Sequence, residues 1–331
     1  MAEQYTVTIE SVDYEGKGIA RIEGKTVFVY GAMAGEEVLI EIVKRKPSFD
    51  KAKLVEIIQA SPKRVTPECP NYGVCGGCSM QHVSFDEQIR IKQQVLTDNL
   101  QHLGNVVAEK IMSPLAGVPW GYRHRARLSA RYVAKKGGAL VGFREKGAPY
   151  VLDMHQCLIL PPHVSALITP LRELVSAVSI RDKIPQIEVA VGTQVTILVI
   201  RNMEALNPED EQLIRQFIEQ YSSLENPLQI WLQPKGPETC YPFYPVDAPK
   251  LSYTIQRFSL DMPYNPSEFT QVNPYINEEM LALSMELLAP QTHEVIADFF
   301  CGIGNFTLPI ARLAKQVVGI EGADALVKRA K

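Results

Sequence analysis

The chain has 331 residues, is 46% hydrophobic and 21% charged, and carries a net charge of −3. That balance excludes a uniformly basic nucleic-acid binder, and the length suits two or three soluble domains rather than one core. No apolar run approaches the ~20 residues that span a bilayer, and the opening MAEQYTVTIE lacks the basic and apolar stretches of a signal peptide. A cytoplasmic protein without membrane contact is expected, its six cysteines kept reduced.

In chain order, residues 5–58 read as five short strands broken by glycines. Val7 and Ile9 alternate with polar residues, Gly16-Lys17-Gly18 turns into Ile19–Ile22, and Gly24-Lys25 precedes Thr26–Tyr30. Glu37–Val43 and Lys53–Ile58 complete the set. This density suits a small Greek-key barrel of the OB type, a common oligonucleotide holder, with Lys44-Arg45-Lys46 at a turn where phosphate could be met. Ser61-Pro62 opens a linker. Ser84-Phe85-Asp86-Glu87 predicts a capping box, with Ser84 as N-cap and Glu87 at N3, opening a helix to about His102 that ends at Gly104. Residues 122–201 are mostly strands, with a hairpin through Val191-Gly192-Thr193. Asn207-Pro208 and Asn273-Pro274 each predict a helix with proline first, the second reaching about Leu288. From Glu294 a strand, a glycine loop, a helix and a strand begin a parallel α/β domain.

Cys69, Cys75 and Cys78 fall within ten residues, and Gly73, Gly76 and Gly77 let that backbone curl so that N–H groups approach the sulfurs. A three-plus-one site needs another thiolate, and Cys157 is the candidate. Four thiolates suit a [4Fe–4S] cluster, with zinc as the rival. Cys240 has no nearby basic group to activate it and reads as a bystander.

Between Trp120 and Tyr150 stand eight Lys or Arg and one acid, Glu145. Read as a strand, Trp120–Tyr132 puts Arg123, Arg125, Arg127 and Arg131 on one face, whose positions repeat every ~6.8 Å, a spacing that fits successive phosphates. RNA contact is expected there; the bland alternative is a surface stripe balanced by the protein's own acids.

Val295–Phe306 is a strand ending in a glycine turn, and Thr307 begins the next helix. Gly302 and Gly304 let a ligand lie against the backbone at that helix's start. Glu321, after the strand Val317–Ile320, would accept from two ribose hydroxyls. Thr307 stands where a dinucleotide site prefers a third glycine. With Asp298 ahead of the turn, this suits S-adenosylmethionine better.

Together these pieces resemble the 23S ribosomal RNA (uracil-5)-methyltransferases, across essentially the whole chain and in family order. The resemblance implies an N-terminal TRAM RNA-binding barrel (1–60), a central mixed α+β iron–sulfur RNA-binding domain (61–265), and part of a Rossmann-like methyltransferase domain (266–331). The capping-box helix (84–104) could pack on that last domain despite its place in the chain. It further implies that Cys69, Cys75, Cys78 and Cys157 are the [4Fe–4S] ligands and that Gln271, Phe300, Asn305 and Glu321 contact the cofactor. The implied activity is C5-methylation of a uridine in 23S rRNA by a monomer. The family's nucleophile lies in a Ser-Cys-Asn-Pro segment with a glutamate base further on, and neither occurs here, so no catalytic residue is assigned. Cys301 sits in the cofactor loop and reads as packing. The chain is therefore expected to be cut short and inactive as it stands. The alternative is an RNA-binding iron–sulfur module without catalysis.

Overall fold

A computed structural model describes residues 3–330; Lys331, at the end of the last expected domain, lies outside them. The chain forms two compact units, Met1–Ala116 with Arg144–Tyr150, and Gly117–Phe143 with Val151–Lys331.

The first unit is built on six strands, β1 (Gln4–Thr8), β2 (Ser11–Val12), β3 (Lys17–Ile22), β4 (Lys25–Tyr30), β5 (Glu37–Arg45) and β6 (Phe49–Gln59). They form one sheet in the order β1-β5-β6-β4-β3-β2, antiparallel except where β4 runs with β6. Alternation explains the core: Val27 and Val29, and Val38 and Ile40, point inward to meet Val7, Ile9, Ala20 and Ala52. One polar group is buried completely, Glu36, and Arg64 answers it with bonds of 2.6 and 2.7 Å. Met33 N–H donates to the same carboxylate at 2.8 Å, so the buried charge is paired and the segment after β6 is tied to the sheet.

Helix α1 (Phe85–His102) starts where expected, but the capping box does not form. The Ser84 hydroxyl donates to Asp86 at 2.6 Å, and Glu87 takes Arg90. Each side chain has a charged partner two or three residues away, and the Ser84 N–H that Glu87 would cap already donates to Lys63 O at 2.9 Å. The helix buries Ile91 against Met33 and Val83 of its own unit. Gly104 N–H bonds Asn99 O, closing the C-terminus as foreseen.

The second unit begins with β7 (Arg125–Val133) and β8 (Gly138–Gly142), followed by helices α2 (Pro162–Ala166) and α3 (Ile168–Ala177). Next come β9 (Gln186–Val191), β10 (Thr196–Ile200), α4 (Pro208–Tyr221), β11 (Leu228–Leu232) and β12 (Tyr241–Tyr244). The sheet order is β12-β11-β10-β9-β7-β8, with only β10 and β11 parallel. The expected hairpin pairs Val191 with Thr196. Asn207 caps α4 with a full capping box, because Asp210 reaches back to it.

A short hairpin, β13 (Ser252–Ile255) and β14 (Leu260–Pro263), precedes α5 (Pro274–Leu288), which Asn273 caps by accepting from Ile276 N–H at 3.1 Å. Then β15 (Val295–Phe299), α6 (Thr307–Ala311), β16 (Gln316–Ile320) and α7 (Asp324–Ala330) complete the described chain. β15 and β16 are parallel, the crossover being α6. Among the described residues no helix is long and apolar enough to cross a membrane.

Candidate functional site

The turn after β15 gathers three positive-φ residues within five positions. Phe300, Gly302 and Gly304 all have positive φ (62°, 57° and 94°), and Phe300 and Cys301 both donate to Ile320 O of β16. Gly302 has open space where a side chain would begin, which leaves its backbone bare toward solvent. Phe300 is 90% exposed. A large aromatic held in the left-handed region and left bare is a strained arrangement, the kind that clusters at ligand clamps.

Each residue expected around this turn has a defined partner. Glu321 accepts from Ala323 N–H at 2.9 Å and from Gly302 N–H at 3.0 Å, and these two amides lower its pKa. It therefore stays an anionic acceptor at neutral pH, with lone pairs to spare. Asp298 accepts from Thr307 at 2.6 Å, fastening the end of β15 to the first turn of α6. That contact is why threonine rather than glycine stands at 307. Asn305 exchanges two bonds with Asn277 of α5, at 2.9 and 3.0 Å, and accepts a third from Tyr253 of β13 at 2.9 Å.

Tyr253 and Asn277 also line a cleft of about 520 Å³, open to solvent, together with His124, Arg125, Thr193 and Gln271. Gln271 is thus placed at this cleft, and Asn305 reaches it through its two partners. Burial holds His124 neutral, its pKa pushed down to about 4. Arg125 donates to Pro266 O at 2.6 Å and covers the Tyr264 ring at 5.6 Å, while its Nη1 is buried with no hydrogen-bond partner among the described residues. Sequence reading missed Tyr253, Asn277, Thr193 and His124 as cleft residues. Asn277 alone left a signal, a polar residue one turn after the Asn273 cap and facing inward, 4% exposed.

The arginine stripe is less uniform than its spacing implied. β7 begins only at Arg125, so Arg123 lies ahead of the strand and packs on Phe143 at 5.8 Å. Arg127 faces Glu188 directly across the β7–β9 ladder and pairs with it at 3.1 Å. Of the four, Arg127 and Arg131 are exposed. In the first unit Arg45, of the expected phosphate turn, pairs with Glu3 and Asp50.

Cys69, Cys75 and Cys78 lie in irregular backbone of the first unit, Cys75 in an isolated bridge with Glu145, and Cys157 belongs to the second unit. Gly77 N–H donates to Cys75 Sγ at 3.4 Å, as the curled backbone predicted, and burial pushes the Cys75 thiol up. Among the described residues no three His, Cys, Asp or Glu side chains converge as a metal-holding group, so the expected cluster is not shown. Cys240 is half-buried, and that burial pushes its pKa up to about 11, which suits a bystander. Cys301 Sγ fills the space over Gly319 and is packing, as expected.

Strand, glycine turn, helix, strand and terminal acid form an α/β unit, joined in one chain to a small β domain. Residues 2–55 match the TRAM domain profile and residues 251–331 the tRNA (Uracil-5-)-methyltransferase profile. The chain is 54% identical over 327 residues to the 23S rRNA (uracil(1939)-C(5))-methyltransferase RlmD of Chromobacterium violaceum, covering 99% of this chain and 64% of that protein. It is 52% identical to the RlmD of Nitrosospira multiformis, covering 98% and 73%. The fold matches that of the Pyrococcus abyssi tRNA (uracil-54, C5)-methyltransferase solved with S-adenosyl-L-homocysteine, at a TM-score of 0.70 and 19% identity, over 98% of this chain and 75% of that one. The chain belongs to the family of the 23S rRNA (uracil-C5)-methyltransferases, with a TRAM domain and a methyltransferase-like α/β fold. It spans 64% and 73% of the length of the two relatives named. The expectation of an inactive chain has no support in these likenesses.

Proposed function

We propose that the protein carrying this chain transfers a methyl group from S-adenosylmethionine to C5 of a uridine in 23S rRNA. The observation that carries the reading is the Glu321–Gly302 bond, which sets a charged ribose acceptor beside a bare glycine turn. Gly302 and Gly304 would admit the cofactor to the backbone, Glu321 would take the ribose hydroxyls, and Phe300 would cover it. Asp298 would act at a distance, holding the turn through Thr307. When bound, the cofactor supplies an electrophilic methyl group. The cleft at Gln271, joined to the turn through Asn305, is the place for the methyl acceptor, with Arg125 in its lining. Names of relatives specify U1939, and the same base is the first to test.

Cys69, Cys75, Cys78 and Cys157 we assign to a [4Fe–4S] cluster, on their spacing and on the N–H···S bond at Cys75. Methyl transfer moves no net electron, so its role would be structural. Anaerobic purification should give a brown protein with about four irons per chain; stoichiometric zinc in a colourless protein would overturn the assignment. The activity itself is tested with unmodified 23S rRNA and methyl-labelled S-adenosylmethionine. Label in 5-methyluridine is the expected result, and label in another nucleoside would refute it.

A further inference from the structure

The segment Arg144–Tyr150 interrupts the sequence of the second unit yet belongs to the first. Backbone bonds hold it there: Gly76 N–H donates to Arg144 O at 2.9 Å and Lys146 N–H to Val74 O at 2.7 Å. Within the segment, Glu145 N–H bonds Tyr150 O at 3.0 Å, making a tight turn. The result is a cation placed on the barrel from outside the barrel's own sequence. Lys146 Nζ lies 4.4 Å from the centre of the Tyr30 ring on β4, and Lys17 Nζ of β3 lies 5.4 Å from the same ring.

The two lysines differ in one respect. Lys17 is answered by Asp13 and Glu15. Lys146 has no carboxylate partner among the described residues; desolvation against its neighbours, and then Lys17, lower its pKa. Two ammonium groups over one ring repel, and the pair is stable only if packing or an outside anion compensates. Exposed aromatics stand on the same two turns: Tyr150 closes the Lys146 turn and is 65% exposed, and Tyr14, in the turn before Lys17, is 79% exposed. A cation without an acid, Lys146, beside bare tyrosines is what a single nucleic-acid strand uses, phosphate on the one and base faces on the other.

We propose that Lys17, Tyr30, Lys146 and Tyr150 form a single-stranded RNA contact surface, with a phosphate at Lys146 and a base stacked on Tyr150. It rests on the reading of an RNA substrate. It also replaces the Lys44-Arg45-Lys46 turn, whose Arg45 is already paired.

The test measures binding of a labelled single-stranded oligouridylate by the protein carrying this chain, across a salt series. Lys146→Ala should weaken binding several-fold and reduce the log–log salt slope by about 0.7, the value for one phosphate on a single strand. Lys146→Arg should restore both. Tyr150→Ala should weaken binding about tenfold and leave the slope unchanged. If neither Lys146→Ala nor Tyr150→Ala changes affinity or slope, or if polyglutamate competes as well as RNA, the surface is not an RNA contact. Cofactor binding measured in parallel separates the two readings. Loss of S-adenosylmethionine binding with these effects intact would remove the methyltransferase reading alone, and the converse would remove this one alone.

Discussion

The glycine turn after β15 and the arginine strand β7 belong to the same unit but are held by opposite means. Every polar side chain around the turn is bonded to another part of the turn or to an adjacent element: Glu321 to Gly302, Asp298 to Thr307, Asn305 to Asn277 and Tyr253. The shape survives on its own and waits for a ligand. Along the arginine stripe, from Arg123 just ahead of β7 into the strand, the residues meet unrelated partners one at a time: Phe143, the Tyr264 ring, Glu188. A periodic stripe therefore need not act as one surface, whereas a network does act as one site.

The comparison is most exposed to failure at Glu321. Glu321→Ala removes a charged acceptor and also frees the Gly302 amide. Two charge-assisted bonds to a ribose support a loss of affinity for S-adenosylmethionine of about 100-fold, or roughly 2.7 kcal/mol. Titration calorimetry on the purified protein measures it; a change below threefold would show that the turn does not hold the ribose.

Arg125 tests whether the stripe has a structural member. Its guanidinium bonds Pro266 O and covers Tyr264, so Arg125→Ala should lower stability by about 1–3 kcal/mol. Arg131→Ala, at an exposed position, should stay within about 0.5 kcal/mol. Chemical denaturation of the two variants decides it, and equal losses would mean that the stripe is uniform after all.

His124 gives the cleft a pH signature. Its folded pKa of about 4 lies below the unfolded ~6.5, so the unfolded chain binds the proton first. The stabilisation is whole above pH ~6.5, declines as the pH falls, and is spent below about 4. Because the ring is partly solvated, the effect should be on the order of 1 kcal/mol rather than the full shift. His124→Leu should flatten that part of the stability profile relative to the parent; identical slopes would mean that the ring is not kept neutral by burial.

What could be read from the residues follows the range of the forces involved. The helix starts at Asn207 and Asn273, the hairpin at Gly192 and the turn at Gly302 depend on neighbours a few positions away, and all were legible. Ser84 was misread within the same range, because Asp86 and Arg90 took the two side chains that a capping box needs. The cleft as a whole was not legible. It gathers His124, Thr193, Tyr253 and Asn277 from four separate stretches, and only Asn277, one turn after the Asn273 cap, carries any local mark. The passage of Arg144–Tyr150 to the first unit was equally hidden, since the basic window around it reads as one continuous feature.

Arg127 and Arg131 provide the finest division of the stripe. Both are exposed on β7, two turns of the pleat apart, and both are equal candidates by spacing alone. Glu188 stands opposite Arg127 and pairs with it at 3.1 Å, so a phosphate approaching Arg127 must compete with a carboxylate already in place. An exposed pair of this kind is worth under about 1 kcal/mol, little enough to be displaced but enough to reduce the gain. If β7 meets RNA, Arg131→Ala should reduce the salt slope of binding by close to one contact and Arg127→Ala by less, each with an affinity loss of about three- to fivefold. Glu188→Gln should then release Arg127 and tighten binding slightly, a result no purely structural stripe would give. Unchanged slopes in all three variants would remove β7 from the RNA-binding surface and leave the Arg127–Glu188 pair as an ordinary cross-strand contact.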